Sequence, residues 1–177
     1  MDLKKIIIAI IILLIVVIGA YFVISTQISQ DIKYDDNFKI SVPGNFQNSK
    51  SNGSISSVYP SNNSYVITLA EDEDMNSDNI ESYFNIIKAA ADNPNGKQNF
   101  TDVIVHDVGK NKVFEFTTAE TELIKSEGYN AKKMRLLNIV VPNSTKVYDM
   151  FILTNDTSLD LHNPEIEAIV NSTSTSE

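Results

Sequence analysis

Residues 134 to 154 read MRLLNIVVPNSTKVYDMFILT. Two runs rich in Leu, Ile, Val, Tyr and Phe flank the turn-forming cluster Pro142-Asn143-Ser144-Thr145-Lys146. β-Branched and aromatic residues suit a pleated strand, and Pro, Asn and Ser suit a chain reversal. The stretch therefore predicts a β-hairpin, with strands over Met134 to Val141 and Val147 to Thr154. A second hairpin is expected just upstream. There, Thr101 to Asp107 and Lys112 to Thr118 are joined by Val108-Gly109-Lys110-Asn111. Between the hairpins, Glu120 to Ser126 has room for one or two helical turns before Gly128 and Asn130 interrupt.

Working outward, Ile80, Phe84, Ile87 and Ala91 recur at helical spacing and form one apolar stripe. Asn76 or Ser77 can cap this helix, Asp78 and Glu81 suit its positive end, and Asn93-Pro94-Asn95-Gly96 ends it. Further upstream, Phe38, Ile40 and Val42 alternate with Lys39 and Ser41 until Pro43-Gly44, a half-buried strand. Residues 45 to 54 read as loop. Ile55 to Tyr59 and Tyr65 to Ala70 read as strands about the turn PSNNS. Downstream, a helix is expected from Pro164 to about Asn171, capped by Asn163, with Ile166, Ile169 and Val170 inward. Antiparallel hairpins with helices segregated between them indicate an α+β fold, not an alternating parallel one.

Residues 6 to 24, IIIAIIILLIVVIGAYFVI, stand apart. Nineteen residues pass without a charge, and 15 of them are Ile, Leu, Val or Phe. As a helix the segment is about 28 Å long, close to the ~30 Å hydrocarbon core. Insertion gains roughly 4 to 9 kcal/mol. Lys4 and Lys5 flank its first end, and no basic residue follows until Lys33, which places the N-terminus in the cytoplasm. A cleaved signal peptide is the competing reading. The apolar run is longer than the usual h-region, and no A-x-A-like site follows it. The expected organisation is a cytoplasmic stub (1–5), a signal anchor (6–24), a polar linker (25–36), an extracytoplasmic domain (37–172) and a disordered tail (173–177).

The chain has 177 residues, 14 basic and 23 acidic, for a formal charge of −9. It has no Cys and two His. Those counts exclude disulfide scaffolds, thiol nucleophiles and Cys-based zinc sites. The acidic balance disfavours a nucleic-acid partner.

The run FKISVPGNF (38–46) resembles the opening segment of the PsbP/Mog1-like domain. So do the helix carrying Tyr83 and Phe84, the strands VFEFTT, LLNIVVP and VYDMFILTN, and the last helix PEIEAIVNST (164–173). Phe46 stands where that family usually has Trp. Asn171-Ser172-Thr173 replaces its usual terminal Ile-Ile-x-Ser-Phe pattern. The resemblance covers about residues 33 to 172. It implies an α-β-α sandwich with a central antiparallel sheet, preceded here by one transmembrane helix. It also implies a binding or assembly role, with no catalytic residues to carry over. The corresponding type is an anchored, extracytoplasmic PsbP-related protein of a prokaryote such as an archaeon.

Candidate sites are few. Glu71-Asp72-Glu73-Asp74, with Asn76 and Asp78, reads first as a solvated connection whose charge favours the following helix. Its second reading is a Ca²⁺ site through Asp72, Asp74 and Asp78, without the order or glycine of an EF-hand loop. His106 and Asp107 are adjacent on a strand and point to opposite faces, so adjacency makes no relay. His162 precedes the last helix. Lys132, Lys133 and Arg135 form the one basic cluster, read as a solvated strand edge. Six N-x-S/T sequons begin at Asn52, Asn62, Asn99, Asn143, Asn155 and Asn171. There is no G-x-S-x-G elbow, P-loop or G-x-G-x-x-G.

The expectation is a non-enzymatic, membrane-tethered binding or assembly module, without cofactor. Its acidic domain favours a cationic protein or cell-envelope partner. Two other readings stay open. An extracytoplasmic carboxylate- or metal-dependent hydrolase needs acids converging in a cleft, one with its pKa raised. A small-ligand sensor or carrier needs an enclosed apolar pocket.

Overall fold

The computed structural model describes residues 29–50, 56–92, 100–119, 121–142 and 144–174. The apolar segment 6–24 lies outside them. Among the described residues, no helix is long and apolar enough to cross a membrane.

The chain is α+β, built on a large antiparallel sheet with three helices among the described residues. In chain order the elements are β1 (Ser29–Lys33), β2 (Lys39–Pro43), β3 (Gln47–Lys50), β4 (Ser56–Tyr59) and β5 (Val66–Asn76). Then follow α1 (Ile80–Ala91), β6 (Phe100–Val108), β7 (Asn111–Thr118), α2 (Thr121–Ser126), β8 (Lys133–Val140), β9 (Lys146–Thr154) and α3 (Pro164–Val170). Seven strands form one sheet in the order β3-β4-β5-β9-β8-β7-β6, and β1-β2 is a separate hairpin.

The expected hairpin of residues 134–154 sits near the sheet's centre. Its register pairs Val140 with Val147, Asn138 with Asp149 and Leu136 with Phe151. With neighbours on both sides, β8 and β9 bury nearly every side chain on both faces.

Alternation divides the core in two. One face carries Ile67, Leu69, Val113, Leu137, Ile139, Tyr148, Met150 and Ile152. The β1-β2 hairpin covers it through Ile32, Phe38, Ile40 and Val42, and α3 through Ile166, Ile169 and Val170. Phe38 stacks on Tyr148 at 4.7 Å. We call this the hairpin face. The opposite, helical face carries two smaller clusters. Ile80 and Phe84 of α1 pack on Phe114 and Val147. Ile124 of α2 packs with Phe116, Met134, Leu136, Phe151 and Leu153.

Several local expectations are corrected. From Ser29 to Lys33 the presumed linker is strand β1, because Ile32 is buried and Asp31 accepts bonds from the Lys39 ammonium and the Ser41 hydroxyl. The presumed loop after Phe46 contains β3, a polar edge strand held by backbone pairing to β4. The acidic run belongs to β5, which continues past Ala70 because Glu71 and Asp72 still pair with Tyr148 and Val147 of β9. A bulge follows. The Asp72 carboxylate caps it by accepting from the amides of Asp74 and Met75. The N-cap of α1 is Asn79, two or three residues later than expected, and its side chain makes no cap bond. It accepts instead from the amide of Asn76. The last helix starts as expected, with the Asn163 side chain accepting from the amides of Glu165 and Ile166. The start of the presumed tail is ordered: Thr173 is buried, and Ser174 bridges Lys39.

Candidate functional site

Charge is buried on both faces of the sheet, in two different settings. On the hairpin face, Glu115 of β7 is fully buried. Arg135 of β8, 1% exposed, donates to it through Nε at 2.7 Å and Nη2 at 2.9 Å. The Nη1 of Arg135 donates to Glu167 Oε1 at 2.6 Å and to the Leu161 carbonyl at 2.9 Å. Burial alone would lower the guanidinium's pKa, and Glu115 with Glu167 more than offset it. Both histidines join this group. His106 Nε2 lies 2.9 Å from Glu115 Oε2, and His162 Nδ1 lies 3.2 Å from Glu167 Oε1. Asp102, at a left-handed φ of 56° beside a bulge in β6, approaches His162 at 3.8 Å. Fork-to-carboxylate geometry leaves the Arg135–Glu115 pair satisfied and ties α3 and its preceding loop to the sheet, while His162 Nε2 is buried at its margin without a hydrogen bond among the described residues.

Arg135 is thus no solvated edge residue, since β8 is an inner strand. Lys133 is half-buried and donates to the Leu159 carbonyl; Lys132 is exposed. The sequence separated His106 from Asp107 correctly, but gave no sign that both histidines approach Glu115.

The helical face has a different arrangement. The cross-strand row Ala70–Asp149–Asn138–Phe114 runs between the cluster under α1 and the cluster under α2. Asp149 is 8% exposed. One of its oxygens accepts from the Asn138 amide at 2.6 Å, the one hydrogen bond it makes among the described residues. Burial first, then the Asp72 carboxylate, with Glu127 a smaller cause, push Asp149 up to about 7 against the pull of Asn138. Burial and Asp72 also raise Glu127, which follows α2. Burial, Asp149 and Glu127 push the Tyr129 phenol up to about 12. Tyr83 of α1 is raised by burial and by Glu127, Asp72 and Asp149 together. Five acidic groups therefore share one seam, and every charge acting on Asp149 is another carboxylate.

Beside the seam opens a groove of about 470 Å³. Val66, Thr68 and Leu153 line it, with Tyr129, Ala131 and Asn63. Thr68 lies one side-chain row from the Ala70–Asp149 pair on the same strand face. Tyr129, which lines the groove, packs its ring on Phe151 with centroids 4.8 Å apart.

Of the residues read as metal candidates, Asp72 enters the seam, while Asp74 and Asp78 are exposed elsewhere. Among the described residues no three His, Cys, Asp or Glu side chains are placed to share an ion. Of the sequons, Asn62, Asn155 and Asn171 are exposed, and Asn52, Asn99 and Asn143 lie outside the described residues.

The fold and this seam define, among the described residues, an α+β domain with a buried carboxyl set among other acids. No family model matches the chain, and no curated protein matches it. Among solved structures, a protein from Bacteroides thetaiotaomicron VPI-5482 is similar at 6% identity and a TM-score of 0.48. The match covers 79% of this chain and 45% of that one, so this chain spans under half of its length.

Proposed function

We propose that the protein is a single-pass, membrane-anchored binding module. Its N-terminus is cytoplasmic, and its PsbP-like α-β-α domain is extracytoplasmic. The apolar run 6–24 and its flanking lysines support the anchor and its orientation. The layering of α3 on one sheet face and α1 with α2 on the other supports the sandwich. The observation that carries a binding role is the seam. A nine-tenths buried carboxyl, pressed by other carboxylates and bordered by a groove, is retained at a cost to folding. Such a cost is expected where a partner supplies the missing charge. Crosslinking in intact cells, followed by affinity capture of the tagged full chain in detergent, tests the role. A reproducible protein or envelope partner is expected, and recovery of none overturns it. The intact mass of the same preparation is expected to include residues 1–24.

A second reading has one specific support: Asp149, protonatable near neutrality beside Asp72 and Glu127, has the character of a general acid. In that reading the domain is a hydrolase acting outside the cytoplasm. Turnover of glycoside or ester substrates that Asp149→Asn abolishes would favour it over the binding module.

A further inference from the structure

The large sheet ends in two unlike edges. β3, at one end, is short and wholly polar, reading QNSK. β6, at the other, runs for 9 residues, FTDVIVHDV, without Lys, Arg or Pro. Natural sheets commonly blunt an open edge with such residues. The middle of β6 is aliphatic instead. Ile104 and Val105 are each 45% exposed, and they are half of the large apolar side chains exposed among the described residues. Neighbours on a strand point to opposite faces, so both faces lie open at this edge. On its inner side β6 pairs with β7; among the described residues nothing pairs with its outer side.

We infer that this edge pairs with β6 of a second copy of the chain, antiparallel about a two-fold axis at Ile104. In that register the edge is its own complement. Ile104 meets Ile104 of the second copy, Val103 meets Val105, and Asp102 meets His106. The axis repeats the last two pairs, so a carboxylate faces an imidazole at both ends of an aliphatic centre, a match that fixes register. His106 uses Nε2 on Glu115, and its Nδ1 makes no hydrogen bond among the described residues.

The faces match as well. Val103 packs with the helical-face clusters, and Val105 stands opposite Phe114 of the same face. Ile104 and His106 stand opposite Glu115 and Val113 on the hairpin face. The two sheets thus join with like faces on like sides. Moving the axis to Val105 would set Asp102 against Val108 and His106 against Ile104, and the charge match would be lost. The bulge between Thr101 and Ile104, with Asp102 at φ 56°, limits regular pairing to a few residues on each side of the axis. The contact is small, and the dimer is accordingly weak.

The chain has no Cys, so single introduced cysteines report the contact. Full-length Ile104→Cys, Val105→Cys and Ile86→Cys are oxidised in detergent micelles, and linked dimer is followed on non-reducing gels. A residue opposite itself has its Cα atoms about 4.5 to 5.5 Å apart, within disulfide reach. Val105 lies diagonal to its own copy, about 7 to 8 Å away and beyond that reach. Ile86, on α1 and 68% exposed, is the control for random collision. Ile104→Cys is expected to link at least about tenfold faster than either of the others. Association through residues 6–24 would raise all three rates together, so the ratio isolates the edge. Adding Val105→Lys, at an exposed position where the fold stays intact, should bring the Ile104→Cys rate down to the Ile86 level.

An Ile104→Cys rate no greater than that of Ile86→Cys overturns the inference. So does faster linking of Val105→Cys, or a rate that Val105→Lys leaves unchanged.

Discussion

One sheet buries carboxylates on both of its faces, under opposite conditions. On the hairpin face, Glu115 meets the Arg135 fork, a histidine and a second carboxylate that shares the same guanidinium. On the helical face, Asp149 meets one amide and two further acids. The first network joins elements distant in sequence and uses its charges to hold them. The second gains little for the fold and raises the pKa of its own central group. Depth of burial is nearly the same in the two places, so it does not separate a charge that holds the fold from one that strains it. The sign of the surroundings does.

The largest expected effect comes from breaking the satisfied side. Arg135→Met leaves Glu115 buried without its counter-ion and should cost about 3 to 5 kcal/mol in urea unfolding. Replacing Glu115 with Leu in the same chain should recover much of that loss, because the apolar pair strands no fully buried charge; Glu167, which also loses the guanidinium, is part-exposed. If Arg135→Met costs less than about 1 kcal/mol, the hairpin-face network holds nothing.

Next comes the unsatisfied side, where the sign reverses. Asp149 titrates at about 7 in the native chain, against an ordinary value of 3.8. Below pH 4 both native and unfolded states carry the proton, and the group contributes nothing. Between about pH 4 and 7 the unfolded chain ionises first, so stability falls as pH rises; above 7 the loss is complete. Asp149→Asn removes that loss while keeping an acceptor for Asn138. It should stabilise the domain by about 2 to 4 kcal/mol at pH 8 and by almost nothing at pH 4. Destabilisation at pH 8 would erase the contrast between the faces.

The smallest effect sharpens the anchoring role of α3. Asn163→Ala removes the cap that accepts from Glu165 and Ile166 and should cost about 1 kcal/mol. Because α3 carries Glu167, the same change should raise amide exchange at Leu161 and His162 but not at Asn138. Uniform acceleration across both faces would show that the two networks are not independent.

How much of this was readable beforehand follows from physical causes. The hairpin over 134–154 and the last helix were legible, since each couples a periodic apolar pattern to its own turn or cap. β1 and β3 were not, because their polar residues give no alternation and backbone pairing alone holds β3. The acidic run misled for a related reason: β5 stays in the sheet past Ala70 through pairing with β9, whatever its side chains prefer. Of the seam, one clue was present. Asp149 is the lone acid in VYDMFIL, and Asn138 the lone amide in LLNIVV. Their pairing depends on hairpin register, and the approach of Tyr83, Glu127 and Asp72 depends on how two helices lie on the sheet. Arg135 was misplaced because a basic cluster in sequence says nothing of which strand is inner.

The most direct measurement is the titration of the Asp149 side-chain carboxyl by carbon-detected NMR in the ligand-free full chain. An acid buried among other carboxylates and without a counter-ion should take up its proton near pH 7. A midpoint at or below 4 would mean that a cation of the protein itself already answers Asp149, and the contrast between the two faces would collapse.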